Sequence, residues 1–269
     1  MQAILTPVLI VTLIGIISGV ILTVAAKYMA VPVDERVQNV RECLPGANCG
    51  ACGFAGCDEY AQKMVEEGAK TNLCTPGGSD VVQKVSALLG VVAEEVVPMR
   101  AVVKCAGTCE NTKYVMDYQG PQSCAACKTF FRGRGSCSHS CLGYGDCVLV
   151  CQYNAIRIEN GIAVVDRELC TGCSMCASAC PNSLIAVIPQ ASGAHVACSS
   201  TDRGALVRKV CTAGCIGCKK CEKSCEQGAI TITDNLASID SQKCTSCGIC
   251  VEACPTHVIH LAQCAVMQR

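Results

Sequence analysis

Cys244-Thr245-Ser246-Cys247-Gly248-Ile249-Cys250-Val251-Glu252-Ala253-Cys254-Pro255 is the stretch that decides how the rest of the chain is read. Its four cysteines follow the spacing C-x2-C-x2-C-x3-C and end on proline, a run that ligates cubane iron–sulfur clusters. The first three thiolates, spaced by two residues in a tight loop, wrap three corners of one cluster. The fourth points away after the turn and ligates the neighbouring cluster. The run recurs at Cys170, Cys173, Cys176 and Cys180, followed by Pro181. A third copy is Cys215, Cys218, Cys221 and Cys225, where Glu226 stands in place of the proline. Three copies of so specific a spacing point to electron transfer.

The composition agrees. The 269 residues include 28 cysteines and no tryptophan, and only 3% are aromatic. Domains this poor in large side chains have thin cores, and metal clusters supply cohesion because ligand binding is coupled to folding. Disulfides are the first competing use of so many cysteines. The C-x2-C runs are too dense to pair internally, and no cleavable secretory signal is evident. Structural zinc is the second competitor, but zinc sites separate their cysteine pairs by a longer span. The 22 basic and 22 acidic residues give a net charge of +0 with no basic run, so nucleic acid is not an expected partner. No G-x-G-x-x-G fingerprint appears, so neither an NAD nor a flavin site is expected on this chain.

From Met1 to Ala26 there is no charged side chain, and the apolar run is long enough to cross a bilayer once. Lys27, Arg36 and Arg41 follow it and no basic residue precedes it, which places the N-terminus outside and the bulk of the chain in the cytoplasm. A signal peptide would carry a positive leader and a shorter apolar stretch. Residues 1–30 are therefore expected to form a single-pass anchor in the cell membrane, with the lipid bilayer as a partner. Gly15 and Gly19 form a small-xxx-small pair suited to close helix approach.

Residues 31–99 are expected to form a four-cysteine 4Fe-4S domain. Leu44-Pro45-Gly46-Ala47-Asn48-Cys49-Gly50-Ala51-Cys52-Gly53-Phe54-Ala55-Gly56-Cys57 is a glycine-rich loop whose backbone can approach a cluster. An amphipathic helix from Asp58 to Ala69 then brings Cys74 back, so Cys49, Cys52, Cys57 and Cys74 hold the first cluster. Ser79 is the expected cap of a second helix that ends at Gly90.

Residues 100–190 and 191–269 repeat one layout of run, hairpin, run. Asn160-Gly161 and Asp234-Asn235 mark the two hairpin turns. Crossing of the fourth cysteines predicts Cys137, Cys141, Cys147 and Cys180 for cluster 2, and Cys151, Cys170, Cys173 and Cys176 for cluster 3. It predicts Cys215, Cys218, Cys221 and Cys254 for cluster 4, and Cys225, Cys244, Cys247 and Cys250 for cluster 5. The expected cofactors are thus five 4Fe-4S clusters. Cys43, Cys105, Cys109, Cys124, Cys127, Cys198, Cys211 and Cys264 are left over. Cys105, Cys109, Cys124 and Cys127, two close pairs flanking a longer span, are the candidate for a sixth metal site, cluster or zinc. The competing reading is reduced thiols packed as small hydrophobes. Cys105 and Cys198 each precede a dicluster unit in similar Val-rich surroundings, as remnants of a duplicated scaffold would. His139, between Cys137 and Cys141, is read as a surface or supporting residue. Lys219, Lys220, Lys223, Arg132 and Arg134 are read as surface charge that can also steer an acidic redox partner.

The fold class is α+β: a single N-terminal transmembrane helix, a small cysteine-loop and helical 4Fe-4S domain, and two tandem dicluster ferredoxin-like domains. This combination, with the Leu44–Cys57 loop and Gly143-Tyr144-Gly145-Asp146-Cys147, closely resembles the B subunit of the Rnf complex, the ion-translocating ferredoxin:NAD oxidoreductase. The resemblance covers essentially the whole chain, and two dicluster units look like the longer B subunits of anaerobic bacteria. It implies a subunit that takes electrons from soluble ferredoxin and relays them to other subunits of a membrane redox complex. These pass them on to NAD and drive Na+ or H+ across the membrane. It also implies that the C-terminal clusters receive electrons and that the cluster on Cys49, Cys52, Cys57 and Cys74 hands them on. The alternatives are a polyferredoxin relay of a different membrane complex and a zinc-rich scaffold module.

Overall fold

The computed structural model describes residues 2–28, 34–130 and 132–261. Cys264 lies outside them.

Helix α1 runs from Gln2 to Tyr28, 27 residues or about 40 Å at 1.5 Å per residue. Its apolar window Val8–Ala25 has no buried residue. The hydroxyls of Thr12 and Thr23 donate to the carbonyls of Val8 and Gly19, at 3.0 and 2.9 Å. These bonds pair both threonine hydroxyls with the helix's own backbone.

Three short helices follow: α2 (Glu35–Cys43), α3 (Cys57–Glu66) and α4 (Gly78–Leu89). Asp34 caps α2 through the Arg36 N–H at 2.9 Å. Val40, Tyr60, Ala61, Met64 and Val85 bury their side chains between the three. Val65 of the same helix α3 is only half-buried. Helix α4 ends at Gly90 in the left-handed conformation, but Gly77 rather than Ser79 precedes its first turn, with no side-chain cap. The cap expected at Ser79 is therefore corrected, since Ser79 lies inside the helix.

The remainder alternates very short elements. They are β1 (Met99–Val103), α5 (Cys124–Lys128), α6 (Asp146–Leu149), β2 (Ile156–Glu159), β3 (Ile162–Val165), α7 (Met175–Ala179) and β4 (Ile185–Pro189). Then come β5 (Ala194–Val196), α8 (Gly204–Val210), α9 (Lys220–Ser224), β6 (Ile230–Thr233), β7 (Leu236–Ile239), α10 (Ile249–Ala253) and β8 (Ile259–Leu261). Among the described residues the four sheets are two-stranded and antiparallel: β2 with β3, β6 with β7, β1 with β4, and β5 with β8. The hairpins turn through Asn160-Gly161 and Asp234-Asn235, all four at positive φ, the geometry of a tight type I′ connection. The outer pairs join strands far apart in sequence, Met99 facing Pro189 and Ala194 facing Leu261. The result is two units of one plan, each with a small aliphatic core.

Glycines fix how closely the cysteine loops approach these strands. Gly172, between Cys170 and Cys173, has φ +71°, and a Cβ there would stand 2.6 Å from the Met99 carbonyl oxygen. Gly228 has a similar φ of +59° but open space around it. Gly228→Ala is expected to cost only the backbone strain, about 1 kcal/mol. Gly172→Ala adds a backbone collision and is expected to cost at least about 3 kcal/mol, with visible loss of iron. Anaerobic thermal melts of the two variants check this, and equal melting temperatures would refute it.

Candidate iron–sulfur centres

The first centre is assembled by the three-helix unit. Asn48 Oδ1 accepts from the Cys57 N–H at 2.8 Å, which folds the glycine loop back on the start of α3. Tyr60 donates to the Lys70 carbonyl at 2.7 Å and accepts from the Leu73 N–H at 3.3 Å, so it pins the segment that returns Cys74. Phe54 stacks on Tyr60 with ring centroids 5.2 Å apart. The Cys74 thiol is then close enough to Cys57, Cys49 and Cys52 to feel their charge. Cys43 packs at the edge of this core.

In the second unit a cavity of about 320 Å³ is lined by Cys151, Cys170, Cys173 and Cys176. In the third, Cys215, Cys218, Cys221 and Cys254 line one of about 300 Å³, and Cys225, Cys244, Cys247 and Cys250 one of about 540 Å³. The expected groups 3, 4 and 5 are thus each brought together. Backbone N–H groups point at the sulfurs: Ala101 at Cys170 and Ala155 at Cys151, both at 3.3 Å, and Ala229 at Cys225 at 3.4 Å.

The second group is different. Cys141, Cys147 and Cys180 line a cavity of about 390 Å³ with Cys124, not with Cys137. Alignment of the two units on each other gives the reason. Cys215, Cys218, Cys221 and Cys225 stand 74 positions after Cys141, Tyr144, Cys147 and Cys151. Tyr144 occupies the place of the second cysteine, and the fourth thiol at the cavity comes from another segment. Helix α5 brings the Cys124 thiol to this cavity, anchored by Asp146, the neighbour of Cys147. The Asp146 carboxylate accepts from the N–H groups of Cys124 and Ala125, at 2.8 and 3.0 Å, and from the Ser123 hydroxyl at 3.0 Å. Burial opposes the charge on Asp146, but these hydrogen bonds outweigh it and hold the carboxyl below its usual range. Asp146→Ala is expected to release α5 and cost about 2–3 kcal/mol, three charge-assisted bonds being lost together. Differential scanning calorimetry under nitrogen checks it, and an unchanged transition would count against the role given to Asp146.

The expected sixth group is also corrected. Cys105 and Cys124 line different cavities, Cys109 is exposed with its sulfur 3.5 Å from the Tyr114 hydroxyl, and Cys127 is fully buried beside Leu142. Cys137 and Cys105 instead line a cavity of about 360 Å³ with Cys198 and Cys211. His139 lines it too, its Nε2 3.9 Å from Asp202. Arg134 is held between the rings of Tyr114 and Tyr144, 4.1 and 4.3 Å from their centroids, which ties its charge to the fold.

The donor sets fit iron–sulfur cubanes. Among the described residues, no three of His, Cys, Asp and Glu gather closely enough for a single metal ion. A cubane instead spreads its four thiolates around its corners. Burial pushes the thiols of Cys74, Cys176 and Cys221 up to about 11, and those of Cys105 and Cys147 up to about 12. Iron-free, they stay protonated at neutral pH, so cluster insertion releases protons.

Three stretches of the chain match known iron–sulfur families. Residues 44–76 match the family described as "Putative Fe-S cluster", residues 163–185 a "4Fe-4S binding domain" and residues 214–258 a "4Fe-4S dicluster domain". The B subunit of the ion-translocating oxidoreductase complex of Methanosarcina acetivorans is 40% identical over 92% of this chain and 94% of its own length. The B subunit of the Na(+)-translocating ferredoxin:NAD(+) oxidoreductase complex of Acetobacterium woodii is 41% identical over 96% of this chain and 78% of its own. Its counterpart in the proton-translocating complex of Clostridium ljungdahlii is 38% identical over 96% and 93%. At these identities over nearly the whole length, the chain belongs to the family of B subunits of ion-translocating ferredoxin:NAD(+) oxidoreductase complexes.

Proposed function

We propose that this chain is the iron–sulfur electron relay of an ion-translocating oxidoreductase complex. It accepts electrons from reduced ferredoxin and passes them towards membrane subunits and ultimately NAD. The observation that carries the reading is a succession of four-thiol centres that lie close to one another. Cys49 of the first centre lies close enough to Cys173 of the third to feel its charge, with Tyr153 beside both. Thr75 donates to the Gly172 carbonyl at 3.3 Å across the same junction. Cys176 of the third centre is similarly close to Cys147 of the second.

In this reading the ligand sets are Cys49, Cys52, Cys57 and Cys74; Cys124, Cys141, Cys147 and Cys180; Cys151, Cys170, Cys173 and Cys176; Cys215, Cys218, Cys221 and Cys254; and Cys225, Cys244, Cys247 and Cys250. A cubane bound at each supplies a one-electron store. The chain's own part is to hold the stores in sequence, to donate N–H groups to their sulfurs and to keep water away. Tuning of potential by hydrogen bonds and burial follows from the same contacts. Helix α1 anchors the chain in the bilayer, its N-terminus outside and the cysteine-bearing units in the cytoplasm beside partner subunits.

Anaerobic purification with metal and acid-labile sulfide analysis tests the reading. The five sets account for about 20 iron atoms and as many sulfides. A colourless chain containing zinc and no sulfide would instead establish the scaffold reading.

A further inference from the structure

The geometry points to a sixth four-iron cluster, held by Cys105, Cys137, Cys198 and Cys211 and joining the two dicluster units. The inference rests on the relay reading and adds a link to it. Four observations carry it.

The four thiols line one cavity of about 360 Å³, within the span of about 300 to 540 Å³ of the four other four-thiol cavities.

Each of the four sulfurs also accepts a backbone N–H from two residues on. The donors are Gly107 to Cys105, His139 to Cys137, Ser200 to Cys198 at 3.4 Å, and Ala213 to Cys211. The same arrangement recurs at Cys141 with Gly143, Cys173 with Met175 and Cys215 with Gly217. Cys105 accepts a second N–H, from Cys141, at 3.4 Å. Backbone donors converging on sulfur are what thiolates bearing a cluster require.

The site is also symmetric. Cys211 stands 74 positions after Cys137, the offset that relates the two units, and Cys105 and Cys198 each follow the first strand of their unit, β1 and β5. Each unit thus contributes one pair of equivalent cysteines.

The two units, finally, are stitched together around this cavity. Ala106 N–H donates to the Ala197 carbonyl at 2.9 Å, and the Thr112 and Ser136 hydroxyls to the Val210 carbonyl at 2.9 and 3.1 Å. Ser199 donates to the Lys104 carbonyl at 3.1 Å.

The position explains the use. Cys105 is bonded to the backbone of Cys141, a ligand of the second centre, and Cys198 lies close to Cys215 of the fourth. Tunnelling rates fall steeply with distance, so a store placed here shortens the crossing from one unit to the other. It takes one electron from a reduced neighbour and returns one to an oxidised neighbour, with no bond made or broken.

The test uses the full-length chain, reconstituted anaerobically with iron and sulfide. The wild type is expected to hold about 24 irons, six cubanes of four, and Cys198→Ala/Cys211→Ala about 20. Cys109→Ala/Cys127→Ala is expected to match the wild type. Because the first double variant removes groups at a junction, alkylation of the native wild type provides a check independent of its folding. With mass-spectrometric readout, Cys105, Cys137, Cys198 and Cys211 should be protected and Cys109 labelled. A wild type with about 20 irons whose four bridging thiols alkylate overturns the inference while leaving the relay intact. Zinc at these four thiols also overturns it. Absence of iron from every centre would instead remove the relay reading itself.

Discussion

Cys124→Ala and Cys180→Ala each lose about four irons per chain, and the double variant loses no more than either alone. This is the expected signature of two ligands of one cluster. The two residues are 56 positions apart and nothing in their spacing groups them. Geometry does: both line the cavity of about 390 Å³ with Cys141 and Cys147. Cys137→Ala combined with Cys180→Ala behaves differently, because Cys137 faces the cavity shared with Cys105, Cys198 and Cys211. That pair is expected to lose about eight irons, two clusters' worth. Iron quantitation with electron paramagnetic resonance reads all four variants. A Cys124→Ala variant with the full iron content would return the second centre to the grouping expected from spacing.

Removal of iron is expected to unfold both dicluster units. The core of the second consists of Ala101, Cys147, Ile156, Ala163, Cys176 and Ile185, so only two of its six buried members are large aliphatic residues. Each large aliphatic side chain contributes about 1.5–3 kcal/mol on burial. Ordering one residue costs about 1–2 kcal/mol of backbone entropy. Two-stranded sheets and helices of four or five residues do not stand alone in water. The clusters must therefore supply much of the cohesion. Chelation under nitrogen is expected to abolish the cooperative thermal transition and the far-ultraviolet signal of residues beyond 99, while α1 stays helical in detergent. The three-helix unit buries Val40, Tyr60, Met64 and Val85 and should lose its structure last. An iron-free chain melting at the temperature of the loaded one would show that the protein scaffold suffices.

What is legible in the sequence is local. The C-x2-C-x2-C-x3-C runs bring three thiols together within one loop, and the Asn160-Gly161 turn dictates its own hairpin. The glycine loop and the amphipathic α3 likewise position Cys74 over a short span. Spacing alone does not show that Cys124 shares the cavity of Cys141, Cys147 and Cys180, because it arrives by a tertiary contact, the Asp146 carboxylate capping α5. One sign is available: Tyr144 stands where the repeat places Cys218, which marks a missing ligand. The bridging set is harder to read, since its thiols come from four separate segments that meet only after β1 pairs with β4 and β5 with β8. The common Val-rich approach to Cys105 and Cys198 is its trace in the sequence. Pairings between strands some 65 to 85 residues apart leave no periodic signal to read.

The most direct test of the relay is rapid mixing of the oxidised full-length chain, in detergent and under nitrogen, with chemically reduced ferredoxin. The account expects the ferredoxin to be reoxidised, while the visible absorption of this chain bleaches and paramagnetic signals of several interacting clusters appear. Ferredoxin that stays reduced in the presence of the fully iron-loaded chain would contradict it.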